Sequence, residues 1–492
     1  MTANSPVIER SAYIILLALA FLLPFELVGR TVPALGFTWT NLEVVMLLFV
    51  GASLLAGRRN FDFRSIQRIN KWAALALLLM VNWLGLALVT EVTAPAFRPE
   101  ALRATLRLAM GPLLLGCALP LLRTPAHQRG VLWALVLGGG ASALVGLLEW
   151  GQWPALEPLW RLFKESPGRV GGQLRVSGPF QFATTAAFYW ELCAPLSVVL
   201  AATARRRLPR TLALILVMLF TLSVLLTFAR SGLLLLWLGA LATTLLSLRR
   251  PWGALRRPAL IWLLGVLIGT GFLFAQSDIF RARLASENDL AWYRARYDVP
   301  SLLEVDATQP EPVEVTVTNM GQVAWQPAGE RAVQLEGRWL SGDGVALLDL
   351  PALYVPLPEP VMPGQARTLS ATLTLFPPDG DYQLTWGLVT IDQFRFHQRG
   401  SPEATTRVVV VNSPNSIPPA LSGSPFVDPA RPLTVARRDL WRAALSLWWE
   451  RPVLGIGADN FRHRYGPALG LALWDDRLTA NNLYLELLAD LG

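Results

Sequence analysis

Four arginines at the ends of apolar segments are the residues of this sequence best suited to do chemistry. Arg103 and Arg107 are four residues apart, so a helix would place both on one face. Arg175 lies just before one apolar segment, and Arg230 lies between two others with almost no loop to separate them. A guanidinium group keeps its charge and pairs with two phosphate oxygens at once. The arginines therefore predict a site for an anionic headgroup, with ordinary contact between arginine and the membrane interface as the alternative.

Glu191 is a carboxylate about midway along an apolar segment, residues 180–204. Because an ionisable side chain within a membrane span is costly to bury, its presence indicates a function by default. Two interpretations remain open. Glu191 either pairs with an arginine inside the protein or stays protonated as a structural carboxyl.

The sequence lacks the patterns of a metal site or a dinucleotide site. Its three histidines are scattered, and no Cys-x-x-Cys occurs. The segment Gly455–Phe461 superficially resembles a dinucleotide loop, but it lacks the third glycine. The net charge of +8 comes from short arginine clusters between apolar segments, which indicates membrane orientation rather than nucleic-acid binding. We therefore expect no cofactor, no metal and no nucleic-acid partner.

The composition is that of a membrane protein. Hydrophobic residues make up 53% of the chain and charged residues 16%, whereas soluble domains have about 25% charged residues. A membrane-crossing helix needs about 20 mostly apolar residues. Nine segments meet that requirement: 12–29, 40–56, 72–90, 104–122, 131–150, 180–204, 211–229, 231–248 and 258–276.

The connections between these segments alternate in charge. Basic residues cluster after every second segment, for example at Arg205–Arg210 and Arg249–Arg257. Because basic loops stay in the cytoplasm, the N-terminus is predicted to be cytoplasmic and the region after Ser277 to lie outside. The chain is therefore predicted to be a multi-pass protein of a plasma membrane.

Between residues 310 and 411 the hydrophobic pattern changes to a period of two, as at Val313, Val315 and Val317. Short alternating runs with regular turns predict a β-sandwich. The segment Val317–Trp325 resembles the opening of immunoglobulin-like modules of bacterial surface proteins, so the sandwich is expected to be immunoglobulin-like. Its tryptophans are expected to fill the core, and exposed glycan binding is the alternative for these three: Trp325, Trp339 and Trp386.

The predicted fold class is an α-helical polytopic membrane protein with nine complete spans, the start of a tenth and an extracytoplasmic all-β sandwich. In the outer helix, Leu440 and Trp441 are predicted to share an apolar face. Only twelve residues follow Ala480, so we expect further spans beyond Gly492. The predicted domains are 1–276 for transmembrane helices, 277–309 for an outer connector, 310–411 for the sandwich, 412–433 for a linker, 434–479 for an outer amphipathic helix and loop, and 480–492 for the truncated start of the next span.

Four segments, in chain order, resemble the O-antigen ligase and polymerase superfamily. Arg175-Val-Ser-Gly-Pro-Phe180 resembles its Arg-x-Ser-Gly-x-Phe segment. Thr227-Phe-Ala-Arg-Ser-Gly232 resembles its Ser-Arg hairpin, with alanine where serine is common. Trp441–Tyr465 resembles its large outer loop, and Ala480-Asn-Asn-Leu-Tyr-Leu-Glu486 resembles the His-Asn-x-x-Leu-Glu start of its tenth span.

The resemblance implies an enzyme that moves a glycan from undecaprenyl diphosphate at the outer face of the membrane, without a metal. The acceptor would be a lipid A-core sugar or another lipid-linked glycan, so ligase and polymerase both remain open. The resemblance also implies that Arg175 and Arg230 hold the diphosphate. Fixed arginines can neutralise the charge that develops on such a leaving group.

The superfamily's histidine falls on Asn481 here. An asparagine amide can position a hydroxyl group but cannot take its proton. Another base would then be needed, and His463, Asp459 and Glu486 are candidates. The predicted catalytic residues are Arg230, Arg175, Asn481 and His463, and the predicted substrate-binding residues are Arg103, Arg107, Glu191, Asn482 and Glu486.

The missing histidine also favours an alternative from another class. The chain could be a non-catalytic polyprenyl-lipid-binding scaffold or a transporter in surface-polysaccharide assembly. The arginines fit both functions, because each requires contact with a lipid phosphate.

Overall fold

The chain divides into two compact units. Unit 1 consists of Met1–Gly138 and Pro429–Gly492, and unit 2 of Gly139–Asp428. Arg175, Arg230 and Glu191 therefore belong to unit 2, whereas Arg107 and the segments after 429 belong to unit 1. The computed structural model describes residues 5–27, 32–34, 37–56, 71–93, 98–164, 167–171, 173–286, 292–329, 332–344, 348–390, 394–414, 435, 437–471, 474–476 and 478–492.

The first part of the chain is mostly helical. Its elements are α1 (Ser5–Leu22), the antiparallel pair β1 (Val32–Ala34) and β2 (Phe37–Trp39), α2 (Asn41–Ala56), α3 (Lys71–Thr93), α4 (Arg98–Ala118) and α5 (Pro125–Trp150). The first of these helices ends before Pro24, because a proline ring disfavours helical geometry in the residue that precedes it.

Unit 2 continues with a short hairpin and a helical bundle. The elements are α6 (Glu157–Trp160), β3 (Arg169–Val170), β4 (Gln173–Leu174), α7 (Ala183–Thr203), α8 (Arg207–Leu226), α9 (Arg230–Ser247), α10 (Arg256–Gln276) and α11 (Asp278–Ala285). Short connections make α7, α8 and α9 antiparallel neighbours. Buried tryptophans link the helices: Trp190 Nε1 donates to Ser142 Oγ at 2.9 Å, and Trp262 Nε1 donates to Thr221 Oγ1 at 3.1 Å.

Two β-sheets follow in unit 2. The strands are β5 (Ala295–Asp298), β6 (Leu302–Asp306), β7 (Glu311–Asn319), β8 (Val333–Leu340), β9 (Leu353–Pro356), β10 (Ala366–Leu373), β11 (Gly380–Thr390), β12 (Phe394–Arg395) and β13 (Ala404–Val411). One sheet has the order β10–β7–β5 and the other β6–β13–β11–β8–β9, with β12 beside β11. Only β6 and β13 pair in parallel among the described strands. The strands β5 and β6 lie in the range 277–309 that the sequence assigned to a connector.

The two sheets share one hydrophobic core. Alternate valines of β7 are buried, as the period-two pattern requires. Trp325 and Trp386 are fully buried and Trp339 is 5% exposed. The expectation that these tryptophans fill the core is confirmed, which excludes them as exposed glycan contacts.

The same core extends into the helical part of unit 2. It includes Val170 of β3, Phe228 between α8 and α9, and Phe280 of α11. Trp292 is fully buried in this core. Its indole packs directly against Gly171, and a Cβ added there would lie only 2.5 Å from the ring. The sheets and the turns at the helix ends are therefore one packed body.

The C-terminal helices form a separate core in unit 1. They are α12 (Arg437–Glu450), α13 (Phe461–Ala468) and α14 (Leu483–Leu491). The buried face of α12 carries Leu440, Ala443, Ala444 and Leu447, whereas Trp441 is 39% exposed. The buried stripe is centred on the two alanines, and Trp441 lies at its exposed edge. Most of the predicted linker, residues 415–433, lies outside the described residues.

Five helices are long and apolar enough, by length and composition, to cross a membrane. The prediction of nine complete spans and the start of a tenth is wrong for the part of the chain that the structure describes. The helix α2 has 16 residues, about 24 Å against a hydrocarbon core of about 30 Å. Glu9 and Arg10 lie one turn into α1, Arg98 and Glu100 lie in the first turn of α4, and several side chains of α3 are not described. The chain is a mixed α and β protein whose candidate spans are Pro125–Trp150, Ala183–Thr203, Arg207–Leu226, Arg230–Ser247 and Trp252–Gln276.

Candidate functional site

The turn between α8 and α9 positions the start of α9. Thr227 Oγ1 donates to the Val224 carbonyl at 2.6 Å and accepts from the Ala229 backbone N–H at 3.1 Å. Phe228 adopts a left-handed conformation with a φ of 52°, which costs about 1–2 kcal/mol for an L-residue. Its ring is 4% exposed and packs in the shared core, so burial offsets that cost. Arg230 therefore follows a turn of fixed geometry.

Arg175 and Arg230 are both held at this turn. The Arg175 Nε donates to the Thr227 carbonyl at 2.9 Å, and the Val176 backbone N–H donates to the Leu226 carbonyl at 3.1 Å. The Arg230 Nη1 donates to the Ser286 carbonyl at 2.9 Å, just after α11. The Arg175 segment, 55 residues before Arg230 in sequence, is thus hydrogen-bonded to the turn that precedes Arg230. A crevice of about 10 Å³ beside Arg230 has room for about one water, so a diphosphate would contact the arginine from outside it.

Glu191 lies against the first turn of α9. Its Oε1 is 2.9 Å from the position that a Cβ on Gly232 would take. That oxygen is buried and has no hydrogen-bond partner among the described residues. No ion pair joins Glu191 to an arginine within the described ranges, so the structure favours the structural-carboxyl interpretation.

A buried ion pair that the sequence analysis missed holds the Arg175 segment from the other side. The Glu149 Oε2 accepts hydrogen bonds from the backbone N–H groups of Ser177, at 3.1 Å, and Gly178, at 2.8 Å. The Lys164 Nζ donates to Glu149 and, at 2.7 Å, to Ser177 Oγ. The side chains of Lys164 and Glu149 are 2% and 3% exposed. Burial lowers the pKa of Lys164, and the negative charge of Glu149 opposes that shift.

The composition did contain a signal for this pair. Lys164 is one of only two lysines in a chain with 43 basic residues. Lysine and glutamate are rarely buried without a partner. A rare lysine between two apolar segments is therefore expected to pair with a carboxylate, and the partner Glu149 is 15 residues away.

In unit 1, a cavity of about 480 Å³ brings together several of the predicted residues. Arg107 lines it and pairs with Glu43 of α2 at 2.9 Å. Asp459 and Glu486, two candidate bases, also line it. Arg462 pairs with Asp459 at 3.0 Å. The charged lining of this cavity suits a polar ligand rather than an acyl chain.

Asp490, which the sequence analysis did not single out, organises the loop beside this cavity. Its carboxylate accepts from the backbone N–H groups of Asp459, at 2.8 Å, and Phe461, at 3.0 Å. Gly455 has a φ of 64°, and a Cβ there would lie 2.3 Å from the Asp490 backbone. The absence of a side chain at Gly455 therefore allows its backbone to pack closely against that of Asp490.

The remaining predicted residues of unit 1 have varied placements. The Asn482 side chain caps α14 by accepting from the N–H groups of Tyr484 and Leu485 at 3.1 and 3.3 Å. Asn481 is exposed and has a φ of 52°. His463 is half-buried in α13. The Arg103 side chain lies outside the described residues, although its backbone belongs to α4.

No group of three His, Cys, Asp or Glu side chains is arranged to hold a metal ion within the described ranges. No protein-family model and no curated protein matches the chain. The function must therefore be argued from the residues and their geometry.

Proposed function

We propose that this chain is a membrane-embedded glycosyltransferase of the O-antigen ligase or polymerase type. It would move a glycan from undecaprenyl diphosphate to a sugar or lipid-linked acceptor at the outer face of a bacterial inner membrane. The observation that carries the proposal is the hydrogen bond of 2.9 Å from Arg175 Nε to the Thr227 carbonyl, three residues before Arg230. The five helices that could cross a membrane supply the setting that a lipid-linked donor requires.

The chemistry of such a transfer suits these arginines. The acceptor hydroxyl oxygen bonds to the anomeric carbon, and the bond from that carbon to the phosphate oxygen breaks. The diphosphate leaves with the electron pair, so negative charge develops on it. Arg175 and Arg230 carry charges that are already oriented by backbone carbonyls, and a preorganised cation stabilises developing charge without reorganisation.

A base must accept the proton of the acceptor hydroxyl. Asn481 cannot do so. Asp459 and Glu486 are carboxylates that line one cavity in unit 1, and Glu486 Oε2 accepts from the Ala480 backbone N–H at 3.2 Å. These two carboxylates and His463 of the same unit remain the candidates for that base.

The proposal predicts that Arg230→Ala and Arg175→Ala each lower transfer at least 100-fold, the typical cost of removing one electrostatic contact to a transition state. The measurement is release of undecaprenyl diphosphate from a lipid-linked oligosaccharide by the full chain in nanodiscs. Arg230→Lys should retain part of the activity, because the charge remains while the two-pronged geometry is lost.

Arg249→Ala is the matched control, since this exposed arginine lies beyond the opposite end of α9. It should transfer glycan like the unmodified protein. Thermal unfolding of every variant separates loss of activity from loss of fold. Full turnover in folded Arg230→Ala would contradict the proposed role of the arginines.

Asn481 favours a second candidate function. A chain with an asparagine at this position could bind the polyprenyl lipid without transferring its glycan, as a scaffold or transporter. In the same nanodisc assay such a protein would bind the lipid-linked oligosaccharide but release no free undecaprenyl diphosphate.

A further inference from the structure

A second cavity of unit 2 is lined by neither Arg175 nor Arg230. It has a volume of about 700 Å³ and is lined by residues between Glu149 and Leu174. This volume falls in the range of about 300–1,000 Å³ that small-molecule sites occupy. Lys164 and Glu149, the buried ion pair described above, contribute to its wall. The cavity is therefore backed by a rigid polar network.

Trp153 presents an indole at this cavity. Its side chain is 58% exposed, although it lines a concave surface. Its backbone is fixed between Gln152, which has a left-handed φ of 49°, and Pro154, whose ring restricts φ. A rigid aromatic side chain loses little conformational freedom when a ligand covers it.

The polar part of the lining is organised in pairs. Arg161, just after α6, and Glu157 at its start form an exposed ion pair with Nη2 and Oε1 2.6 Å apart. The whole lining carries three cationic side chains against two carboxylates, so its charge is nearly balanced. A polyanion would find little excess positive charge here, and an acyl chain would have to desolvate several charged groups.

We infer that this cavity binds a short oligosaccharide, with one sugar ring stacked on Trp153 and its hydroxyls hydrogen-bonded to Glu157 and Arg161. A pyranose ring has an apolar face of C–H groups and a rim of hydroxyls, which matches an indole beside a carboxylate–guanidinium pair. A tryptophan that only anchors the protein in a membrane interface would face lipid. Trp153 instead lines a cavity backed by a buried ion pair. The inference goes beyond the proposed transfer, because this site does not involve Arg175 or Arg230.

The test uses the full chain in nanodiscs and an array of bacterial surface oligosaccharides of two to four sugars. We expect the unmodified protein to bind a subset of these glycans. Trp153→Ala should weaken that binding at least ten-fold, and Trp153→Phe should restore part of it because a flat aromatic face returns.

Trp252→Ala is the matched control, because Trp252 is similarly exposed at 50% but does not line this cavity. It should bind the same glycans as the unmodified protein. The inference is overturned if the unmodified protein binds no glycan on the array. It is also overturned if Trp153→Ala binds as well as Trp252→Ala, the result expected of a membrane anchor. The array measures binding without turnover, so either result leaves the transfer proposal standing.

Discussion

The buried pair of Lys164 and Glu149 fixes the segment that carries Arg175. Glu149 accepts from two successive backbone N–H groups, Ser177 and Gly178, while Lys164 neutralises its charge. A buried ion pair adds little net stability, but breaking it leaves an uncompensated charge. The pair therefore determines where Arg175 lies more than how stable the fold is.

Lys164→Met should destabilise unit 2 by roughly 3–5 kcal/mol, because the Glu149 carboxylate then stays buried without its cation. The double variant Glu149→Gln/Lys164→Met should recover much of this loss, since a neutral amide oxygen still accepts from the two N–H groups. Thermal unfolding of the four proteins in one detergent measures both effects. A double variant that is as unstable as the sum of the single variants would contradict the coupling.

At the scale of single residues, the sequence shows which charged side chains lie beside apolar segments but not which groups hold them. Arg175 and Arg230 were found from their positions beside apolar segments, and Arg107 and Glu486 were also selected. The hydrogen-bond partners of these arginines were not predictable, because both are backbone carbonyls. Thr227 accepts from Arg175, and Ser286 accepts from Arg230. Any residue type can supply a carbonyl, so side-chain chemistry gives no signal for it.

The hairpin of β3 and β4 joins the helical part of unit 2 to its sheets. Gly171 in its turn has a φ of 54°, and a Cβ there would lie 2.5 Å from the Trp292 indole. The hairpin precedes Arg175 directly, and the Arg175 backbone N–H donates to the Gly168 carbonyl at 2.9 Å. The hairpin thus connects the core of the sheets, through Trp292, to the segment that carries Arg175. We call the turn between α8 and α9, which this segment contacts, the arginine turn.

Gly171→Ala should therefore destabilise unit 2 by about 1–3 kcal/mol, from left-handed strain and overpacking against Trp292. Gly168→Ala is its matched control, because a Cβ at Gly168 meets nothing within 4 Å. The midpoint of thermal unfolding should fall for the first variant and stay unchanged for the second. Equal midpoints would show that the hairpin does not pack against Trp292 as described.

At the scale of elements, periodicity predicted strands more reliably than membrane spans. The valines of β7 alternate because one face meets the core. Apolar composition alone did not fix helix length: the first helix ends before Pro24, and α2 has only 16 residues. A membrane span requires sufficient length and an uncharged surface together, so apolar content alone does not identify one.

For unit 2 as a whole, the sequence predicts a helical domain, a connector and a β-sandwich as separate parts. In the structure, residues of all three parts share one hydrophobic core. Phe228, Phe280 and Trp292 pack with the residues of the two sheets. Such packing between distant segments leaves no periodic signal, since each contributes only one or two residues. The arginine turn consequently lies at the end of α8 and α9 that adjoins the sheets, and the basic connections at Arg206 and Arg249 lie at the other end.

This arrangement predicts which parts of unit 2 lie on opposite sides of a membrane. Because basic loops stay in the cytoplasm, a cysteine at Arg249 should react with a membrane-impermeant maleimide only after lysis. A cysteine at Met362, which is 51% exposed in the β region, should react in intact spheroplasts. The native Cys117 and Cys193 are 2% and 1% exposed, so they contribute little background. If Met362→Cys is protected until lysis while Arg249→Cys reacts in intact spheroplasts, the orientation is inverted. The arginine turn would then face the cytoplasm, where the proposed transfer could not use an outer-leaflet donor.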